Sequence, residues 1–186
     1  MTIQPRDLVT ALLLAALVLV PLAPGPASAA SAAELERQAR HALANLVAED
    51  AAARQLQDKA IAILVFPNML KAGFMFGGQI GEGVLLRRGK AEAYYNSVAA
   101  SYGFQAGAQV FGYALFFMKD SALDYLDRSG GFEVGVGPSV VVLDEGMGKS
   151  LTSTTLTQDV YALVFNQAGV MAGAGIQGSK ITKISK

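Results

Sequence analysis

The chain has 186 residues, with 15 Lys+Arg against 15 Asp+Glu, 52% hydrophobic and 16% charged residues, one histidine and no cysteine. Balanced charge gives no global field that would draw it to nucleic acid, and the lack of cysteine excludes a disulfide framework and a lipoprotein thiol. Such a chain must hold itself together by an apolar core, and any electrostatic attraction must come from a local patch.

The first segment reads as a secretory signal peptide. Arg6 leads into "LVTALLLAALVLVPLA", which Pro21 breaks too soon for a comfortable bilayer span, and small residues follow in "PGPASAA". Ala27, Ser28 and Ala29 supply a small-x-small cleavage pattern, so residues 1–29 are expected to be removed and residues 30–186 to form a single domain. That route leads to export, into the periplasm or the wider cell envelope.

From Ala33 to about Ala60 the apolar residues Leu35, Ala39, Ala42, Leu43, Leu46 and Val47 recur at three- and four-residue intervals, without glycine or proline. One amphipathic helix is predicted, packed on the domain. Its acidic residues Glu34, Glu36, Glu49, Asp50 and Asp58 face Arg37, Arg40, Arg54 and Lys59, unlike the basic face of a membrane-seeking helix.

After Ala60 the period changes to two. "AILVF" is a buried strand closed by Pro67, "KAGFMF" alternates, and "GVLLRRGKAEAYY" reads as a hairpin across Arg88, Gly89 and Lys90. Ser101 to Val110 is the clearest strand, with Tyr102, Phe104, Ala106, Ala108 and Val110 on one face. A short helix around "SALDYL" follows, with capping-box spacing at Ser121 and Asp124 and an end at Ser129, Gly130 and Gly131. Strands resume in "FEVGVGPSVVVL", in "DVYALVF" and in "GVMAGAGI", the last two joined by a turn from Asn166 to Gly169.

"GAGIQG", Gly173 to Gly178, fits the dinucleotide fingerprint G-x-G-x-x-G, but only eight residues follow it, too few for the helix and the acidic residue that motif requires. "EGMGKS" lacks the first glycine of a P-loop, Leu143 standing there instead. No nucleotide site is expected. The glycines recur with period two on several strands, as Gly103/Gly107, Gly135/Gly137 and Gly173/Gly175, with Gly73, Gly81, Gly83 and Gly178 in similar settings. Glycine in strand interiors marks bends, bulges or close backbone approach. The predicted fold is therefore α+β: a strongly curved, barrel-like, mainly antiparallel sheet with an N-terminal helix and one short internal helix.

Catalytic groupings are missing. His41 stands on the predicted helix with no cysteine and no metal-ligand spacing, and Glu82, Glu133 and Asp159 are isolated among small or apolar neighbours. No enzyme, metal site or cofactor is expected. Two basic clusters are candidate headgroup contacts: Arg87, Arg88 and Lys90 in the hairpin, and Lys180, Lys183 and Lys186 in the tail. Each also fits a solvated turn or tail. Tyr94, Tyr95, Phe116 and Phe117 fit core packing or an aromatic binding surface.

The order of "KAIAILVFPNMLKAGFMFGG", "GEGVL", "YGFQAGAQ", "ALDYL", "FEVGVGPS" and "AGVMAGAGIQGSKI", from about Lys59 to Ile184, resembles the SYLF domain family, and the signal peptide and "AYYNS" resemble its exported bacterial branch. The resemblance implies a lipid-binding domain; some eukaryotic members also bind actin filaments and use a basic N-terminal region at membranes. This chain departs there, with a near-neutral helix, "AEAYYNSV" in place of a Trp-Ser-x-Pro motif and no aromatic tail. An exported protein would not meet cytoplasmic actin. The expected function is non-catalytic binding of phospholipid or a membrane surface; the alternative is a structural or protein-partner-binding module of the envelope.

Overall fold

In the computed structural model, residues 30–128, 132–133, 140–143 and 157–186 are described. The predicted signal peptide, the glycines Gly135 and Gly137, and the expected end of the internal helix at residues 129–131 lie outside them.

Ser31 starts the first helix, α1 (Ala32–Glu49), its hydroxyl accepting from Glu34 N at 3.2 Å. Leu35, Ala39, Ala42, Leu43 and Leu46 form its buried stripe, at the spacing read from the sequence. The helix does not run on to Ala60. Asp50 is extended, with φ −111° and ψ 121°, and its carboxylate accepts from Ala52 N at 2.6 Å and Ala53 N at 2.9 Å to start α2 (Ala51–Lys59). An aspartate gains more by capping orphan amides than by sitting inside a helix, and the break lets Ala52, Ala53 and Leu56 turn into the core.

Three long strands follow: β1 (Ala62–Arg87), β2 (Lys90–Phe117) and, later, β5 (Val160–Ile184). Between β2 and β5 come α3 (Asp120–Arg128), β3 (Phe132–Glu133) and β4 (Val140–Leu143). The five-stranded sheet has the order β1-β2-β5-β3, with β4 also on β5 and parallel to it; the other pairings are antiparallel. The α+β, mainly antiparallel expectation holds. The barrel-like closure is not found: among the described residues no pairing joins β1 to β3, and the sheet is open.

Two predicted strand ends are bulges. The register of β1 against β2 shifts between Phe66 and Met69, so the chain passes Pro67 without ending, the bulge accommodating the missing N–H. Asn166 (φ 52°) and Gly169 (φ 102°) have the backbone of a turn, yet they sit within β5, where the β2 register shifts between Val110 and Gly112. The hairpin at Arg88 (φ 49°) and Gly89 (φ 75°) is as predicted, two left-handed residues joining Arg87 to its partner Lys90.

The curvature is concentrated in one sharp fold. Across four residues of extended strand the chain should advance about 13 Å. Instead, a Cβ added to Gly73 would lie against Gly77 Cα and 2.6 Å from Phe76 O, and Met75 between them has φ 60°. Gly107, with φ 141°, is the β2 partner of Gly73. β1 therefore doubles back: a Cβ on Gly81 would lie 2.9 Å from Asn68 O, and one on Gly83 2.6 Å from Phe66 Cδ1. Two apolar clusters hold the returning limbs. One joins Ile63, Val65, Val84, Leu86 and Phe116 to the buried faces of α1 and α2. The other joins Leu64, Phe66, Met69, Leu85 and Tyr95 to Ala122, Leu123 and Leu126 of α3.

Candidate functional site

Where β1 folds, its side chains leave the core. No residue from Leu70 to Ile80 is buried, although both flanks are. Pairing places Leu70 with Val110, Ala72 with Ala108, Phe74 with Ala106, Phe76 with Tyr102 and Ile80 with Val98, so these residues share one face of the sheet. Phe74 is 75% exposed, Phe76 71% and Tyr102 60%, and the Phe76 and Tyr102 rings lie 5.0 Å apart. Val170 and Met75 are exposed as well. The opposite face at the fold carries Gly73 and Gly77, which approach each other, so the glycines are inside the bend and the phenyl rings outside.

This end of the sheet is almost without charge. No acidic residue occurs from Ala62 to Gly81, from Ala93 to Phe117, or anywhere in β5, and the charges on these stretches are Lys71, Lys180 and Lys183 alone. A contiguous apolar surface of this kind is an interaction site or an aggregation liability. Sequence reasoning missed it, because its signal is the alignment of three stretches without acidic residues that only the strand register brings together.

The predicted basic residues lie elsewhere. Arg87 and Arg88 follow Gly77 by ten and eleven positions along β1 and its turn, roughly 33 Å of extended chain from the fold. There Arg87 Nε pairs with Glu92 Oε2 at 2.7 Å, while Arg88 and Lys90 are exposed. Arg40 of α1 donates to the Gly89 carbonyl and so joins this cluster, a contact across the fold that spacing did not indicate. Lys183 pairs with Asp127 at 3.2 Å, and Lys186 donates to Glu82 at 2.7 Å and to the Ala30 carbonyl at 2.8 Å. Lys180 is exposed and pairs in register with Val98, at the border of the apolar face. The structure thus gathers Arg40, Arg87, Arg88 and Lys90 at the hairpin, ties Lys183 and Lys186 into ion pairs, and leaves Lys180 nearest the fold.

Among the structural glycines, Gly73, Gly81 and Gly83 stand where another group approaches within contact distance. Gly103 pairs with Gly175, Gly173 with Gln105 and Gly178 with Ala100 along β2 and β5. Of the aromatic group, Tyr95, Phe116 and Phe117 are fully buried, which settles them as core.

The tyrosines are struts. Tyr94 donates to Glu36 Oε1 at 2.5 Å, and that hydrogen bond, with burial second, raises its pKa. Tyr95 donates to Asp127 Oδ1 at 2.9 Å; burial first and that bond second raise it further. Burial against Phe66 pushes Tyr113 up to about 12. Each shift moves a phenol further from deprotonation, opposite to what a base or nucleophile needs. Among the described residues no group of His, Cys, Asp or Glu could hold a metal ion, and no helix is long and apolar enough to cross a membrane.

Residues 98–186 match the family model Ysc84, described as Las17-binding protein actin regulator. This part of the chain is similar to the Ysc84 (SYLF) domain. The match begins at Val98, the ninth residue of β2, and runs through β5, so it covers two of the three strands that cross the fold. The SYLF match takes in "YGFQAGAQ" and "AGVMAGAGIQGSKI", whereas "KAGFMFGG", which carries Phe74 and Phe76, precedes it. No curated protein matches the chain.

Proposed function

We propose that this protein is a non-catalytic lipid-binding module of the cell envelope, exported, processed after Ala29 and peripheral to a membrane. The observation that carries the reading is the exposed apolar face at the fold of β1, β2 and β5, which has no role in the core and no acidic residue. The SYLF match supports it, since lipid binding is what the family resemblance implies. Las17 and actin belong to the family description, and an exported chain meets neither in the cytoplasm.

The test is flotation of the processed protein, residues 30–186, with phosphatidylcholine vesicles and with vesicles containing phosphatidylglycerol. Association with vesicles is the expected result. Failure to float with either composition, alongside crosslinking to one envelope protein, would favour the partner-binding alternative. The outer edge of β1, unpaired among the described residues, is the docking surface that alternative would use.

A further inference from the structure

We infer that the fold of β1 is a membrane-inserting tip: Phe74, Met75 and Phe76 enter the acyl region of a phospholipid bilayer, and anionic lipid is not required. The inference rests on the lipid-binding reading and names the element and the lipid chemistry responsible.

The alternatives are removed by geometry. The α1 helix cannot insert, because Leu35, Ala39, Ala42, Leu43 and Leu46 are already buried against the sheet. The Arg40, Arg87, Arg88 and Lys90 cluster lies at the far end of the limbs and is partly neutralised by Glu36 and Glu92. A second copy presents the same convex surface, and two convex surfaces bury little between them. A bilayer deforms around a protrusion.

Charge complementarity points to the same occupant. The tip itself is uncharged; the nearest charges on β1 and β5 are Lys71, Lys180 and Glu82, and Glu82 is already paired with Lys186 at 2.7 Å, which leaves the border net positive. That arrangement places apolar side chains in hydrocarbon and ammonium groups at the phosphate level, which zwitterionic lipids also provide. Tyr102, beside Phe76, has the apolar body and polar end of an interfacial aromatic. The central strand β2 pairs with β5 without interruption from Val110 to Tyr102, and with β1 from Gln109 to Ala106 and again at Tyr102, so its β5-facing backbone groups stay satisfied through the fold.

The protein has no tryptophan, so Phe76→Trp supplies a single reporter. With phosphatidylcholine vesicles carrying brominated acyl chains, its emission should shift to the blue and be quenched, and the response should persist in 1 M salt, where the Debye length is about 3 Å. The double variant Phe74→Ser/Phe76→Ser should weaken vesicle association at least about a hundredfold, roughly tenfold for each exposed ring lost. Its melting temperature should match the parent's, because neither ring is in the core. Vesicle association with no quenching, or association that the double variant retains, overturns the tip while the lipid-binding reading stands. Association that is lost only in Arg87→Ser/Arg88→Ser/Lys90→Ser assigns the contact to the hairpin and overturns the tip as well. A double variant that dissociates an oligomer in solution, with vesicle association unchanged, shows the face to be an interface between copies. No association with any vesicle overturns both.

Discussion

Gly73→Ala isolates the fold of β1 in one methyl group. The backbone at Gly73 does not need glycine's left-handed freedom, so the cost of a side chain there is steric. The new Cβ would sit 2.6 Å from Phe76 O and against Gly77 Cα. An ordinary carbon to oxygen contact is about 3.3 Å or more, so main-chain atoms must yield by roughly 0.7 Å. No rotamer change can relieve them, because both obstacles are backbone. Overpacking costs about 1–3 kcal/mol, and a backbone clash belongs at the upper end, about 2–3 kcal/mol. Gly78→Ala is the control. There a Cβ meets nothing nearer than Ala99 O at 3.9 Å, and the substitution should stabilise by about 0.4–1 kcal/mol through the unfolded chain. Urea unfolding followed by circular dichroism should separate the two alanine variants by about 3 kcal/mol. In a thermal melt the Gly73 variant alone should lose about 4–12 °C for a chain of this size. Equal stability of the two would refute the reasoning, since an extended strand through Gly73 to Gly77 would accept both methyl groups alike.

Tyr95→Phe removes the hydroxyl that donates to Asp127 while the ring stays in the core; Asp127 keeps Lys183, so the loss should be one hydrogen bond, about 1 kcal/mol. Urea unfolding should show that loss, with faster amide exchange in α3, and unchanged exchange there would sever the proposed link. Alkaline titration tests the tyrosines together. Tyr94, Tyr95 and Tyr113 are raised above the ordinary value of 10.0, so the folded state keeps protons that the unfolded state releases. The stability this gives is complete below pH 10 and is lost as pH rises from there toward about 12, the value to which Tyr113 is raised. Tyr113→Phe should accordingly move the alkaline unfolding midpoint upward, and a midpoint that stays put would contradict the assignment.

What could be read from the sequence was what depends on neighbours in the chain. The α1 stripe, the hairpin across Arg88, Gly89 and Lys90, and the alternation of Tyr102, Ala106, Ala108 and Val110 are local patterns, and each recurs in the structure. The errors came from signals with two physical meanings. Pro67 and the Asn166 to Gly169 segment have the chemistry of strand ends, but a bulge uses the same chemistry and lets pairing continue. Asp50 interrupts the helix with neither glycine nor proline, because a carboxylate free to cap is enough. The barrel-like expectation took the glycines as evenly spread curvature, whereas Gly73, Gly77 and Gly107 concentrate it at one place. The basic hairpin was legible as a run of residues. Its distance from the apolar face was not, since that depends on where β1 turns back.

The same alternation that bends the sheet also decides what it exposes. Strand alternation on either limb puts Gly73 and Gly77 inside and Phe74 and Phe76 outside, while Met75, with φ 60° at the register shift, breaks the alternation and is exposed too. The bend requires the glycines; it does not require phenylalanine beside them. Residues exposed to this extent contribute little to folding, and polar β-formers such as threonine would satisfy the same backbone. Exposed phenyl rings at a sheet bend carry a solubility cost. The proposed membrane contact would offset that cost by covering the rings. The bend therefore accounts for the glycines, and the proposed membrane contact would account for Phe74 and Phe76.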